Sequence, residues 1–210
     1  MKNYKNFKAA IYCPVSNLIS ITDFEEFGRR FDEIEKHIKV SKVYLETYRH
    51  GTKIEKDQIE KAIRFFKQRG IETSGGITTD WVDDGEGGFN PLCYTDPAMK
   101  DMLTDVVEFT ASLFDEIILD DFYFTNCRCE SCINEKKDRT WAQFRIELMK
   151  EISEKVIIGP AKRVNPKVKM IIKYPNWYEH FQDAGYNLED ESKIFDAIYT
   201  GTETRNPTYT

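Results

Sequence analysis

Apolar residues recur along this chain in two alternating rhythms. Short runs rich in β-branched and aromatic residues fall at 8–13 (KAAIYC), 42–48 (KVYLETY), 71–79 (IETSGGITT), 116–122 (EIILDDF), 168–174 (VKMIIKY) and 196–202 (DAIYTGT), and read as strands. Helical spacing separates them. Phe24, Phe27, Phe31, Ile34 and Ile38 form one stripe over 23–38, with Thr22 or Asp23 as its cap. A second amphipathic helix spans 55–69 and stops at Gly70. After a long loop, 80–94, Thr95-Asp96-Pro97 opens a third helix that runs to about Leu113, with Pro97 near its first position. A fourth helix covers 140–157, and a short one lies near 188–194.

Six β/α units in series imply a parallel α/β sheet with right-handed crossovers. Two architectures satisfy that pattern: a closed (β/α)₈ TIM barrel and an open doubly wound sheet. No Gly-x-Gly-x-x-Gly follows the first strand, so a dinucleotide-binding version has no support. Polar and aromatic residues gather after every strand: Tyr12 and Cys13; Glu46, Tyr48, Arg49 and His50; Thr78, Asp80 and Trp81; Asp120 and Asp121; Lys173, Tyr174 and Trp177; Glu203 and Arg205. A ring of this kind fits a barrel mouth better than a sheet with one switch point. A barrel needs eight strands and typically about 250 residues. The expectation is therefore a single domain over 1–210 that carries the first six β/α units of a TIM barrel and is truncated after the sixth strand. An exposed sheet edge would then favour self-association. The competing expectation is a complete six-stranded open sheet.

The net charge of −6 and the interspersed acids and bases argue against a nucleic-acid partner, which needs clustered Lys and Arg. No apolar run is long enough to span a bilayer, and MKNYKNFKAA lacks the apolar stretch of a signal peptide. The chain reads as soluble, with its compartment unassigned.

The window 117–132, IILDDFYFTNCRCESC, concentrates the candidate chemistry. Its apolar run reads as a strand buried on both faces, and Asp120 and Asp121 fall at the C-terminal end, where α/β folds carry their chemistry. Adjacent strand residues face opposite ways, so one Asp should point inward and the other support the loop. Glu203 and Glu46 are candidate second carboxylates. Glycoside hydrolysis uses such a pair, about 5–5.5 Å apart for retention or ~6.5–9.5 Å for inversion. Tyr48, Trp81, Tyr123, Tyr174 and Trp177 supply flat faces for a sugar, Lys173 and His50 polar partners. Three histidines, none in a His-x-His pattern, argue against a His-ligated metal hydrolase. Cys127, Cys129 and Cys132 are too crowded to be paired locally as disulfides. With Cys93 as fourth ligand they would form a closed, structural zinc site. Cys13 stands apart as a buried or mouth-lining thiol.

The cysteine before a Pro-containing helix start (LCYTDPAMKDML) and the later CRCESC…TWAQFRIELM resemble the zinc-bearing β-galactosidases of glycoside hydrolase family 42 over about residues 91–148. The resemblance implies Cys93, Cys127, Cys129 and Cys132 as zinc ligands and a (β/α)₈ barrel. The catalytic pattern departs from that family, which places Asn-Glu after strand four and its nucleophile after strand seven. An Asp after strand four with a carboxylate after strand six looks more like the α-galactosidase clan. That likeness implies Asp120 or Asp121 as nucleophile and Glu203 as acid/base. The expected function is a two-carboxylate glycoside hydrolase acting on a carbohydrate. The alternative is a carbohydrate-binding or degenerate barrel without turnover.

Overall fold

A computed structural model describes residues 4–80, 91–175 and 182–201. Six parallel strands form one sheet in sequential order: β1 (Ala9–Cys13), β2 (Val40–Arg49), β3 (Glu72–Ile77), β4 (Glu116–Leu119), β5 (Lys169–Tyr174) and β6 (Ala197–Thr200). Strict neighbour order, without a reversal, is barrel topology rather than doubly wound topology. The sheet curls into a half-barrel, as expected for six β/α units. A two-residue strand, Thr52–Lys53, folds back on the end of β2 through His50 and Gly51, both at positive φ (51° and 73°). That is the backbone a two-residue hairpin turn requires.

The helices are α1 (Val15–Ser20), α2 (Phe24–Glu35), α3 (Lys56–Gln68), α4 (Pro97–Ala111), α5 (Glu130–Lys136), α6 (Trp141–Ile152), α7 (Gly159–Val164) and α8 (Glu191–Ile194). Asp23 caps α2 by accepting from the Glu25 and Glu26 N–H groups, and Asp96 caps α4 by accepting from Ala98. Thr140 and Gln143 form a capping box on α6. The helix expected at 140–157 is longer than its apolar pattern indicates. A π-helical stretch, Ser153–Ile158, carries it on into α7, where Pro160 sits in the first turn. Two helices, α1 and α5, are too short to show a periodic stripe and were not anticipated.

The main core lies between sheet and helices. The strand centres alternate sides, so a second, smaller cluster covers the concave face: Tyr44, Ile118 and Ile171, with Tyr12 and Ala197 against them. Gly75 and Gly76 make room on the two faces of β3. A Cβ on Gly75 would lie 2.6 Å from Thr110 Cγ2 and one on Gly76 would lie 2.7 Å from the Tyr12 hydroxyl. Among the described residues no helix is long and apolar enough to cross a membrane.

Candidate active site and cysteine cluster

The β4 strand is shorter than expected, because the chain turns immediately after Leu119. Asp120 still donates its N–H to Ile77 (3.0 Å), and Tyr123 N–H then closes the turn on the Asp120 carbonyl (3.2 Å). The Asp120 side chain is directed to the concave face. Its Oδ1 accepts from Lys173 Nζ (3.2 Å) and from the Asp121 N–H (3.0 Å), and its Oδ2 from Arg49 Nη2 (3.1 Å). Asp121 is also buried and meets Lys173 at 3.3 Å, while its carbonyl accepts from Tyr186. The two carboxylates thus share one lysine at the C-terminal ends of β4 and β5.

Glu46 stands beside them and is 0 % exposed. It accepts from Tyr12 (2.8 Å), the Val15 N–H (2.7 Å), Arg49 Nε (2.9 and 3.1 Å) and the Thr78 hydroxyl (2.5 Å). Burial, followed by the Glu46 and Asp120 charges, lifts the Tyr12 phenol well above its ordinary range. Burial first and Glu46 second push the Cys13 thiol up to about 11, which makes it unreactive.

Arg49 reaches this group through an irregularity that strict alternation does not foresee. Glu46 pairs with Gly76, but Tyr48 pairs with Ile77, so β2 carries one extra residue at Thr47. Thr47 and Tyr48 are both turned to the helix side, where Thr47 bonds Thr110 (2.7 Å) and Tyr48 joins the core. Arg49 is turned to the concave side. Its guanidinium also lies over the Phe122 ring, 5.6 Å from the centroid.

The other expected ligands of a sugar are distributed unevenly. Lys173 lies on the concave face with the carboxylates. Tyr48, Tyr123 and Tyr174 are buried on the helix side, away from the mouth. Tyr123 bonds Ser153 (2.9 Å) and Tyr174 bonds Glu191 (3.0 Å), both across the helical layer. His50 is exposed at the rim, its Nδ1 3.0 Å from Asp80 Oδ2 and its N–H donated to Asp80 Oδ1 (3.1 Å). Burial raises the Asp80 carboxyl. Trp81, Trp177 and Glu203 lie outside the described residues. Arg49, Thr78 and Tyr12 were visible only as members of the polar ring, with nothing to single them out.

Cys93, Cys127, Cys129 and Cys132 converge so that all four sulfurs lie within 4.8 Å of one another. Cys93 Sγ is 3.6 Å from Cys129 Sγ and 3.7 Å from Cys132 Sγ. Disulfide sulfurs would lie at about 2.05 Å. Tetrahedral coordination with bonds of about 2.3 Å implies sulfur–sulfur edges of about 3.8 Å. The cluster therefore has the donor set and spacing to hold a metal ion. Thr95 Oγ1 sits 3.2 Å from both Cys93 and Cys132. The Cys132 N–H, at the start of α5, is the main cause that lowers the Cys129 thiol to about 7, and burial pushes Cys132 far up. Arg145, buried nearby, donates to the Cys127 carbonyl (3.2 Å) and covers Trp141 at 4.8 Å.

Known proteins share this architecture. The chain is 33% identical over 230 residues to an uncharacterized protein of Saccharolobus solfataricus, covering 97% of this chain and 38% of that protein. It thus spans about two-fifths of that relative's length. Its fold is similar to a β-galactosidase from the psychrophilic Marinomonas ef1, with TM-score 0.68 and 7% identity, over 97% of this chain and 42% of that one. It is also similar to α-L-fucosidase isoenzyme 2 from Paenibacillus thiaminolyticus, with TM-score 0.58 and 12% identity, over 78% of this chain and 32% of that one. A GH10 endoxylanase retrieved from sugarcane soil metagenome matches with TM-score 0.55 and 10% identity, over 93% of this chain and 57% of that one. At these identities the likeness concerns the fold. The family described as "Probable glycosyl hydrolase, catalytic domain" matches residues 1–210, and the chain belongs to it.

Proposed function

We propose that this domain hydrolyses a glycosidic bond in a carbohydrate, with Asp120 as the nucleophile and Glu203 as the general acid/base. The observation that carries the reading is the setting of Asp120. It lies at the C-terminal end of β4 on the concave face, where barrel enzymes place their reacting groups, with a different cation on each oxygen. Asp121 shares the lysine, but its backbone is tied into the helix-side layer through Tyr186.

In this scheme Asp120 attacks the anomeric carbon while Glu203 protonates the departing glycosidic oxygen. Water, deprotonated by Glu203, then releases the sugar from Asp120. Lys173 and Arg49 hold the carboxylate against the sheet. Membership of the family and the barrel-type fold support a carbohydrate substrate.

Zinc is the metal that best suits four thiolates in this spacing, held by Cys93, Cys127, Cys129 and Cys132. Such a site has no open position and supplies a structural clamp between the segment before α4 and the stretch 127–132, which runs into the first turn of α5.

A panel of aryl glycosides tests the reading, assayed with the protein and with Asp120→Asn and Asp121→Asn. Turnover lost in Asp120→Asn by about 10³-fold or more, and reduced far less in Asp121→Asn, is expected for a nucleophile. Equal loss in both variants, or no turnover with retained sugar binding, contradicts it. The second outcome would favour a carbohydrate-binding barrel.

A further inference from the structure

We propose that Glu46 is a positioning residue for the reacting carboxylate and acts on it through Arg49. The inference rests on the assignment of Asp120 above and goes beyond it, because Glu46 itself cannot meet a substrate.

Glu46 has no exposed surface. Its carboxylate offers about four lone-pair sites. Donors from Tyr12, Val15, Thr78 and Arg49 occupy them. Nothing is left over for a sugar hydroxyl. What Glu46 does instead is fix a guanidinium. Arg49 Nε lies within hydrogen-bond distance of both Glu46 oxygens. A guanidinium is planar and rigid, so once Nε is fixed the direction of its far edge is fixed too. That edge delivers Nη2 to Asp120 Oδ2 at 3.1 Å.

The Asp121 N–H directs Oδ1 (3.0 Å), but among the described residues no other neighbouring side chain supplies direction at Oδ2. Lys173 reaches Asp120 and Asp121 at nearly equal distances (3.2 and 3.3 Å) from a flexible stem, so it contributes charge more than orientation. Thr78 has a single hydroxyl proton. Its 2.5 Å contact to Glu46 takes that proton in preference to the 3.4 Å contact to Asp120. The bulge at Thr47 is what makes the relay possible. Without the extra residue Arg49 would point into the helical layer, three positions from Glu46 but on the wrong face.

Exchanging the Glu46 carboxylate for an amide removes its charge and one of the two oxygens that hold Nε, which loosens Arg49 enough for its fork to turn onto Asp120. A bidentate pair would cover the oxygen that attacks and misalign it. The effect should fall on the chemical step and leave substrate affinity nearly unchanged.

The test combines arginine-¹⁵N NMR with steady-state kinetics on whichever aryl glycoside the protein cleaves. The Arg49 Nε–H signal, assigned by its loss in Arg49→Lys, should exchange slowly with solvent in the parent protein and much faster in Glu46→Gln. In Glu46→Gln kcat should fall by about 10²-fold with KM within about threefold, the size of effect expected from a misplaced reacting group. Arg49→Lys keeps the charge but not the planar fork. It should reproduce the kcat loss with little change in melting temperature, which separates positioning from folding should Glu46→Gln be unstable. Unchanged Nε–H exchange in Glu46→Gln overturns the proposal. So does a kcat in Arg49→Lys equal to that of the parent protein. If the NMR response is as expected but no form of the protein cleaves any glycoside, the hydrolase reading fails and takes the catalytic half of this proposal with it.

Discussion

The hydroxyls of Tyr44 and Tyr199 lie 2.9 Å apart, although their strands are separated in the sheet by three others. Their rings meet edge to face, with centroids 6.3 Å apart and planes at 89°. Four inter-strand steps in a flat sheet would separate β2 from β6 by roughly 19 Å. Contact between them means that the sheet curls until its second and sixth strands face each other, as diametrically opposed strands do in an eight-stranded barrel. The two tyrosines are thus a direct measure of closure.

Tyr199→Phe removes one of these hydroxyls and leaves the other without that partner. The expected cost is about 1 kcal/mol, with Tyr44→Phe costing a similar amount. A double-mutant cycle read by urea unfolding should show that the two losses are not additive. Additive losses would mean that the strands do not meet in solution.

Much of this fold is legible in the chain, and the reasons are local. The β-branched strand centres, the Asp23 and Asp96 caps and the Gly70 stop are short-range signals, and the structure places the elements within a few residues of them. The convergence of Cys93 with the Cys127–Cys132 group was readable because loops after adjacent barrel strands lie side by side. The carboxylate setting was only half readable. Asp120 and Asp121 announce themselves after an apolar run, but Glu46, Thr78 and Arg49 meet them only in three dimensions. Arg49 was hidden by the bulge, which inverts the alternation that would otherwise put Tyr48 in the mouth. For Tyr123 and Tyr174 an aromatic near a strand end says nothing about which face it takes, and both take the helix side. Glu191 was invisible for a different reason. In NLEDESK it reads as a solvated acid, yet it is 1 % exposed.

Burial is the main cause that raises the Glu191 carboxyl to about 7, against the pull of Ser153 (3.0 Å), Tyr174 (3.0 Å) and the Asn187 N–H (3.3 Å). The folded protein therefore holds this proton while the unfolded chain releases it, between its ordinary 4.5 and about 7. Across that window the unfolded state binds fewer protons, so the Glu191 contribution falls as pH rises and levels off above the folded value. The loss is on the order of 3 kcal/mol. Glu191→Gln can keep the contacts, its carbonyl accepting from Tyr174 and Asn187 and its amide donating to Ser153. Relative to the parent protein it should gain stability between acid and neutral pH in urea titrations. Parallel pH profiles for the two proteins would show that Glu191 is not buried in this way.

The cysteine cluster predicts about one tightly held zinc per chain, with cobalt substitution giving thiolate-to-metal absorption. Chelation should lower the melting temperature, because metal affinity is spent on holding the loops in place. Each of Cys93→Ser, Cys127→Ser, Cys129→Ser and Cys132→Ser should weaken binding, whereas Cys13→Ser should leave the zinc content alone. Full zinc content in Cys93→Ser would break the four-ligand assignment.

The most direct test of the whole account is to trap the covalent intermediate. A 2-deoxy-2-fluoro analogue of the sugar selected by the glycoside panel should slow release more than attack, because the fluorine destabilises the positive charge of both transition states while a good leaving group sustains the first. Intact mass followed by peptide mapping then locates the attached sugar. The account predicts one sugar per chain, on the peptide containing residues 117–122 and specifically on Asp120, and none on the Asp120→Asn variant. Attachment to Asp121 or to any other carboxylate, or turnover that continues in Asp120→Asn, would contradict it.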